Sequence, residues 1–322
     1  MSDKLAARPL ATTYAEVTEL RASDPQIIEK AWAARTPRAT VRGNGRLMIV
    51  AADHPARGAL SVGGKPTAMN SRTDLLDRLR TALDNPGVDG VLGTADILDD
   101  LLLLGALDDK VVFSSMNRGG LAGASFELDD RMTGYTAAGT AKFGMNGGKM
   151  LLRIALDDAG TLPTMTACAE AVDELAAAGL IAMLEPFLSS RVNGKVVNDL
   201  SPDAVIKSIH ISQGLGSTSA YTWMKLPVVD EMERVMDATT LPTLLLGGRS
   251  ADRAGRNVRK VGRCTSAAVR ARTDRRTRAA LPTRRRRHRG RRHRSQARPL
   301  EPTWQEQDVQ QVLRPRRIVR RR

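Results

Sequence analysis

Apolar runs of strand length recur along the first 248 residues, and longer stretches of mixed polarity separate them. The strand-like runs are "RLMIVAADH" (46–54), "VDGVLGT" (88–94), "KVVFSSM" (110–116), "GKMLLRIA" (148–155), "GLIAMLEPF" (179–187), "AYTWMKLP" (220–227) and "LPTLLLGG" (241–248). Between them, 70–85, 163–178 and 201–213 carry helical periodicity, and the last opens on Ser201-Pro202, a good N-cap and first-turn pair. A further helical region, about 13–35, precedes the first strand. Near-continuous apolar strands alternating with helices predict a parallel sheet covered by helices. Seven such strands in single file predict a (β/α)₈ TIM barrel, incomplete at its C-terminus. A doubly wound open sheet is the alternative, but no GxGxxG follows the first strand. "SSRVNGKVVNDL" (189–200) sets Asn-Gly between two β-prone runs and predicts a hairpin on the barrel rim, a candidate contact for a homo-oligomer.

Charge divides the chain where the patterning stops. Residues 1–248 carry 24 Lys and Arg against 30 Asp and Glu, a net −6; residues 249–322 carry 26 against 5, a net +21. The tail contains 25 Arg and one Lys, with no periodic apolar face. Three segments follow: an N-terminal helical segment (1–45), the barrel (46–248) and an Arg-rich tail (249–322). An out-of-frame reading of a GC-rich gene gives such a composition, so a frameshift is the first explanation of the tail. A basic arm that binds nucleic acid through its phosphates, on a catalytically inactive barrel, is the second. Trp304 is the tail's one aromatic residue, which weakens a base-stacking role.

Composition excludes other classes. Cys168 and Cys264 are the only cysteines, too few for a disulfide framework and consistent with a reducing cytoplasm. No run of about 18 apolar residues and no signal-peptide core is present, so the expected protein is cytoplasmic and does not span a membrane. Scattered histidines and cysteines give no metal-ligand spacing, and neither a metal nor another cofactor is expected.

The chemistry is sought where a barrel keeps it, at the C-terminal ends of strands. Asp53 ends the first strand, Lys149 opens the fourth, Glu185 ends the fifth and Lys225 lies within the sixth; each borders or interrupts an apolar run. Burying an ammonium is costly, so Lys225 is paired, snorkelling or chemically used. A second cation and desolvation hold an amine neutral near pH 7, where it can condense with a carbonyl to an iminium while a carboxylate moves protons. Each residue has a plainer reading. Lys225 and Glu185 would form a structural ion pair, Glu185 would cap a loop, and Asp53 would bond turn N–H groups. Lys149 would merely neutralise a carboxylate. His54 reads as a packed loop residue.

These four segments resemble the class I aldolase superfamily that includes deoxyribose-phosphate aldolase and tagatose-1,6-bisphosphate aldolase. They most resemble the actinobacterial aldolase-like barrels associated with myo-inositol catabolism. The likeness lies in "VAADHPARG", "GGKMLLRIALDD", "AMLEPF" and "WMKLPVV", in order at successive strands, and covers about residues 10–248. The resemblance implies a Schiff-base carbon–carbon lyase, with Lys225 forming the imine and Glu185 transferring protons. Asp53 would orient substrate hydroxyls and Lys149 would tune charge. The implied substrate is a small phosphorylated keto-sugar or deoxy-keto acid, in inositol or other carbohydrate breakdown. From the residues themselves, Arg153 shares the strand parity of Lys149 and is a candidate contact for an anionic substrate. Arg118, in the long loop 116–135, would grip phosphate or carboxylate or else lie solvated. Gly247 and Gly248 end the seventh strand and would bring N–H groups to a phosphate.

Overall fold

Alternating side-chain direction within parallel strands builds this structure, a computed structural model that describes residues 9–41, 45–62 and 64–246. Contacts define two units, Met1–Val261 and Gly262–Arg322, and every described residue belongs to the first. The expectations for Gly247, Gly248 and the tail fall outside the described residues.

The strands are β1 (Ile49–Ala51), β2 (Gly90–Gly93), β3 (Val111–Ser115), β4 (Gly147–Ile154), β5 (Ile181–Val192), β6 (Lys195–Asn198), β7 (Thr222–Pro227) and β8 (Thr243–Leu246). The order β1-β2-β3-β4-β5-β7-β8 is parallel throughout, while β6 pairs antiparallel with β5. The result is a TIM-barrel-like sheet of seven parallel strands curled with helices, as the sequence predicts. Among the described residues the path ends at β1 and β8. These end strands are half-buried along their length, whereas every residue of β2 and β3 is buried.

Helices α3 (Arg72–Leu83), α4 (Ala95–Leu103), α5 (Ala137–Lys142), α6 (Thr161–Ala177), α7 (Pro202–Ser212) and α8 (Met232–Asp237) alternate with the strands. Local signals place their starts: Ser71 accepts from Asp74 N–H, and Ser201 accepts from Ala204 N–H with Pro202 at the first position. The helical region before the barrel is two helices, α1 (Tyr14–Ser23) and α2 (Gln26–Ala34), interrupted at Asp24-Pro25. α2 docks on α4 through Trp32, whose Nε1 donates to Asp99 at 2.8 Å. Arg35 then donates to the carbonyls of Gly144 (2.7 Å) and Lys110 (3.1 Å), tying this segment to the chain before β3 and β4.

Strand parity sorts the core into two layers. Val112, Met150, Leu152, Leu184, Met224 and Leu226 face the helices, where Leu76, Val172, Leu175, Val205 and Ile209 meet them. Leu92, Val111, Phe113 and Met183 fill the concave side with Ile49, Ala51, Ile181 and Leu244. Register carries the concave parity across the sheet: Ser115 pairs with Lys149, Lys149 with Met183, and Met183 with Trp223. Lys149, Glu185 and Lys225 therefore all project into the concavity. Pro186 is tolerated in a central strand because β5–β7 pairing stops at Leu184–Met224, below it.

The predicted hairpin is present. Asn193 (φ 52°) and Gly194 (φ 75°) both take left-handed conformations between Val192 and Lys195, as a two-residue turn of this kind requires.

Candidate active site

Four charged residues meet in the concavity, three from β4, β5 and β7 and one, Asp53, from just past the end of β1. Lys149 Nζ lies 2.9 Å from Asp53 Oδ2 and 2.7 Å from Glu185 Oε2. Glu185 Oε1 lies 3.1 Å from Lys225 Nζ. Glu185 thus bridges two lysines and Asp53 closes the far end. The quartet read from the sequence is one connected chain of charges.

Burial grades along that chain. Asp53 and Lys149 are each 2% exposed, Glu185 is 8% exposed, and Lys225 is only half-buried by residue. Burial pushes the Lys149 ammonium down to about 7; repulsion from Lys225 and Arg118 adds to this, against attraction from Glu185. The two lysines hold the Glu185 carboxyl well below the usual carboxylate range, despite burial that pushes the other way. A lysine next to a second cation is the arrangement that imine chemistry needs.

Arg118 comes from the loop after β3. It is 7% exposed and pairs with Asp53 Oδ2 and with Ser115 Oγ, which itself donates to Asp53 Oδ2 at 3.0 Å. The solvated reading of Arg118 is overturned, because Asp53 supplies a buried countercharge. The turn reading of Asp53 also fails. It precedes the short 3-10 turn His54–Arg57, yet its side chain makes no capping hydrogen bond and turns inward instead. Glu185 lies within β5, which continues to Val192, so it caps no loop. The structural ion pair between Lys225 and Glu185 is present.

Arg153 has the expected parity but leads to a second cluster. Its Nη1 lies 2.5 Å from Glu127 Oε1, its Nη2 donates to Glu127 O at 2.6 Å, and Asp130 lies 3.9 Å away. Arg57, from the turn after β1, pairs with the same Asp130. The long loop 116–135 is held down by these buried pairs and by Asn117. The Asn117 Nδ2 donates to the carbonyls of Asp130 (3.0 Å) and Leu151 (2.5 Å), and its Oδ1 accepts from Leu151 N–H at 2.8 Å.

Sequence reasoning overlooked Ser115, Arg57, Asp130 and Glu127. Ser115 was within reach, as a small polar residue closing an apolar strand. The others lie in loops whose path no periodicity fixes. Among the described residues, no group of three or more His, Cys, Asp or Glu side chains is arranged to hold a metal ion. No helix among them is long and apolar enough to cross a membrane.

Comparison with known proteins agrees with this geometry at the level of fold. Cgl0159 from Corynebacterium glutamicum, known from a crystal structure, is 59% identical, with a TM-score of 0.73 over 74% of this chain and 81% of that one. An archaeal fructose-1,6-bisphosphate aldolase, solved with its catalytic lysine covalently bound to the carbinolamine intermediate of its substrate, is 16% identical. It has a TM-score of 0.51 over 74% of this chain and 88% of that one. At that identity the likeness shows a shared class I aldolase-like fold and nothing finer. No curated protein matches the chain significantly. The sequence model described as Cgl0159-like matches residues 45–273, continuing past Gly248, and so the chain belongs to the Cgl0159-like family.

Proposed function

We propose that this protein is a class I aldolase-type lyase that makes or breaks a carbon–carbon bond through an imine on Lys225. The observation that carries the reading is the sharing of one buried carboxylate, Glu185, between Lys225 and the deeply buried Lys149. Lys225 is the more exposed lysine, and a nucleophile must be reachable by a carbonyl carbon. Lys149 lies deeper, with carboxylates on both sides, and supplies the second positive charge. An archaeal aldolase of similar fold works through a covalently bound lysine, which adds support.

The chemistry assigns each group a task. The Lys225 amine adds to the substrate ketone, and the carbinolamine loses water to give an iminium. The bond between the α and β carbons then breaks; its electron pair forms the enamine double bond as the C=N pair moves to nitrogen. Glu185 is ionised between the two lysines in the resting site. As the Lys225 nitrogen adds to the ketone it releases one proton to the new hydroxyl and one to Glu185, and Glu185 then passes its proton to that hydroxyl, which leaves as water. Asp53 fixes Lys149 and Arg118. Arg118 would meet an anionic group of the substrate; Arg153 and the glycines Gly247 and Gly248 are further candidates for that task. The substrate class we propose is a phosphorylated keto-sugar or deoxy-keto acid, with inositol breakdown as its setting and the cytoplasm as its place.

Borohydride reduction in the presence of dihydroxyacetone phosphate tests the reading. The expected result is a stable adduct located on Lys225 by peptide mass spectrometry and absent from Lys225→Ala. Adducts on other lysines only, or cleavage activity that survives in Lys225→Ala, would overturn it.

A further inference from the structure

The imine reading leaves one proton without an acceptor. Breaking the bond beside an iminium releases the proton of the substrate's β-hydroxyl, and a base with an accessible lone pair has to take it. Both buried carboxylates are committed elsewhere. Glu185 gives one oxygen to each lysine. Asp53 Oδ2 is shared by Lys149, Ser115 and Arg118. The remaining oxygen, Asp53 Oδ1, lies 3.6 Å from Nδ1 of His54.

His54 is the exposed member of this group. Its side chain is 53% exposed, against 2% for Asp53 and 12% for Lys225. That exposure contradicts the packed-loop reading of the sequence. Nε2 has no hydrogen-bond partner among the described residues and is left for substrate or water.

We propose that His54 is a further catalytic residue, the base that takes the β-hydroxyl proton on Nε2 while the Asp53 carboxylate lies behind Nδ1, 3.6 Å away, ready to pair with the imidazolium; this rests on the imine reading. The substrate O–H bond breaks, its oxygen becomes the carbonyl oxygen of the aldehyde product, and the electron pair of the broken carbon–carbon bond enters the enamine. The imidazolium so formed returns its proton to water. Lys149, Lys225 and Arg57 face the ring as cations, and Glu185 and Asp53 face it as anions. Desolvation of the ring's inner face and those cations hold it below its ordinary value, so at pH 7 it is neutral and acts as an acceptor. The Asp53 charge behind Nδ1 offsets part of the cost of the cation formed in the step.

The test uses the full chain with His54→Gln and His54→Asn. Borohydride trapping with dihydroxyacetone phosphate reads imine formation at Lys225. The same ketone paired with a panel of phosphorylated and free aldehydes reads turnover in the addition direction. The expected result is trapping at the wild-type level in both variants, with turnover lowered on the order of 10²–10⁴-fold. The component of the wild-type kcat/KM acid limb that titrates near pH 4 should also be lost, while the limb set by the lysines remains. Unchanged turnover, or an unchanged acid limb, overturns the His54 assignment and leaves the imine reading standing. Absence of trapping in the wild type overturns the imine reading and this inference with it. Trapping without turnover of any aldehyde by the wild type overturns the inference alone.

Discussion

Replacing Glu185 by Gln keeps the size of the side chain and removes the one charge that both lysines share. The variant buries Lys149 against Asp53 alone and leaves Lys225 without its partner. Breaking a buried ion pair costs roughly 3–5 kcal/mol when a charge is left uncompensated. Asp53 still compensates Lys149, so the lower end applies, about 3 kcal/mol at pH 7. The pH dependence follows from the direction of the Glu185 shift. Its folded pKa is depressed, so its stabilisation is present above the unfolded value and is lost as pH falls toward the folded one. Below about pH 4.3 the gap between wild type and Glu185→Gln should close by about 1.4 kcal/mol per pH unit. Urea denaturation of both proteins from pH 7 to pH 3 measures this; the Lys149 titration, which Glu185 raises, differs between the two nearer neutral pH, so the slope is read below about pH 4.3. A gap that is absent at pH 7, or that stays constant down to pH 3, would refute the placement of an ionised Glu185 between two lysines.

Three further outcomes test other parts of the structure. Asp53→Asn should raise KM, since Asp53 anchors Arg118 and Lys149, and also lower kcat, since its charge offsets the imidazolium formed on His54; wild-type kinetics would remove both roles. Asn117→Ala should destabilise the protein by about 2–3 kcal/mol, because Leu151 N–H and two carbonyls lose their buried partner. Thermal unfolding reads that loss, and a shift within experimental error would show that the side chain does not hold the loop. For the tail, whose residues up to 273 still match the family model, a frameshift would have to lie beyond that point, and the explanation requires an alternative reading frame there to encode an eighth apolar strand. If no frame does so, the frameshift explanation fails; tight, salt-sensitive nucleic-acid binding lost on deleting the tail would favour the basic arm.

The central parallel strands were legible because they are buried on both faces and so read as near-continuous apolar runs. Lys149, Glu185 and Lys225 stood out for the same reason: a charge inside such a run contradicts its neighbours, and function or pairing must account for it. The Asn193-Gly194 turn was equally plain, since few residues accept two consecutive positive φ angles. Strand ends were blurred. β5 runs five residues past its predicted end, to Val192, because it pairs onward with β6 once β7 has stopped.

Tertiary structure alone decided which charges share a partner. Nothing in the spacing of residues 53, 149, 185 and 225 says that one carboxylate bridges both lysines. That follows from the register of β4, β5 and β7, which sets the height of each side chain in the concavity. Loop residues were hidden for a related reason. Arg57, Glu127 and Asp130 lie in segments without periodicity, and only the closed path of the chain reveals that their charges meet in buried pairs with one another and with Arg153. The sequence by itself determined the class of sheet and the residues too costly to bury without a use. The fold decided their partners, because pairing depends on distances of a few ångströms that no linear pattern contains.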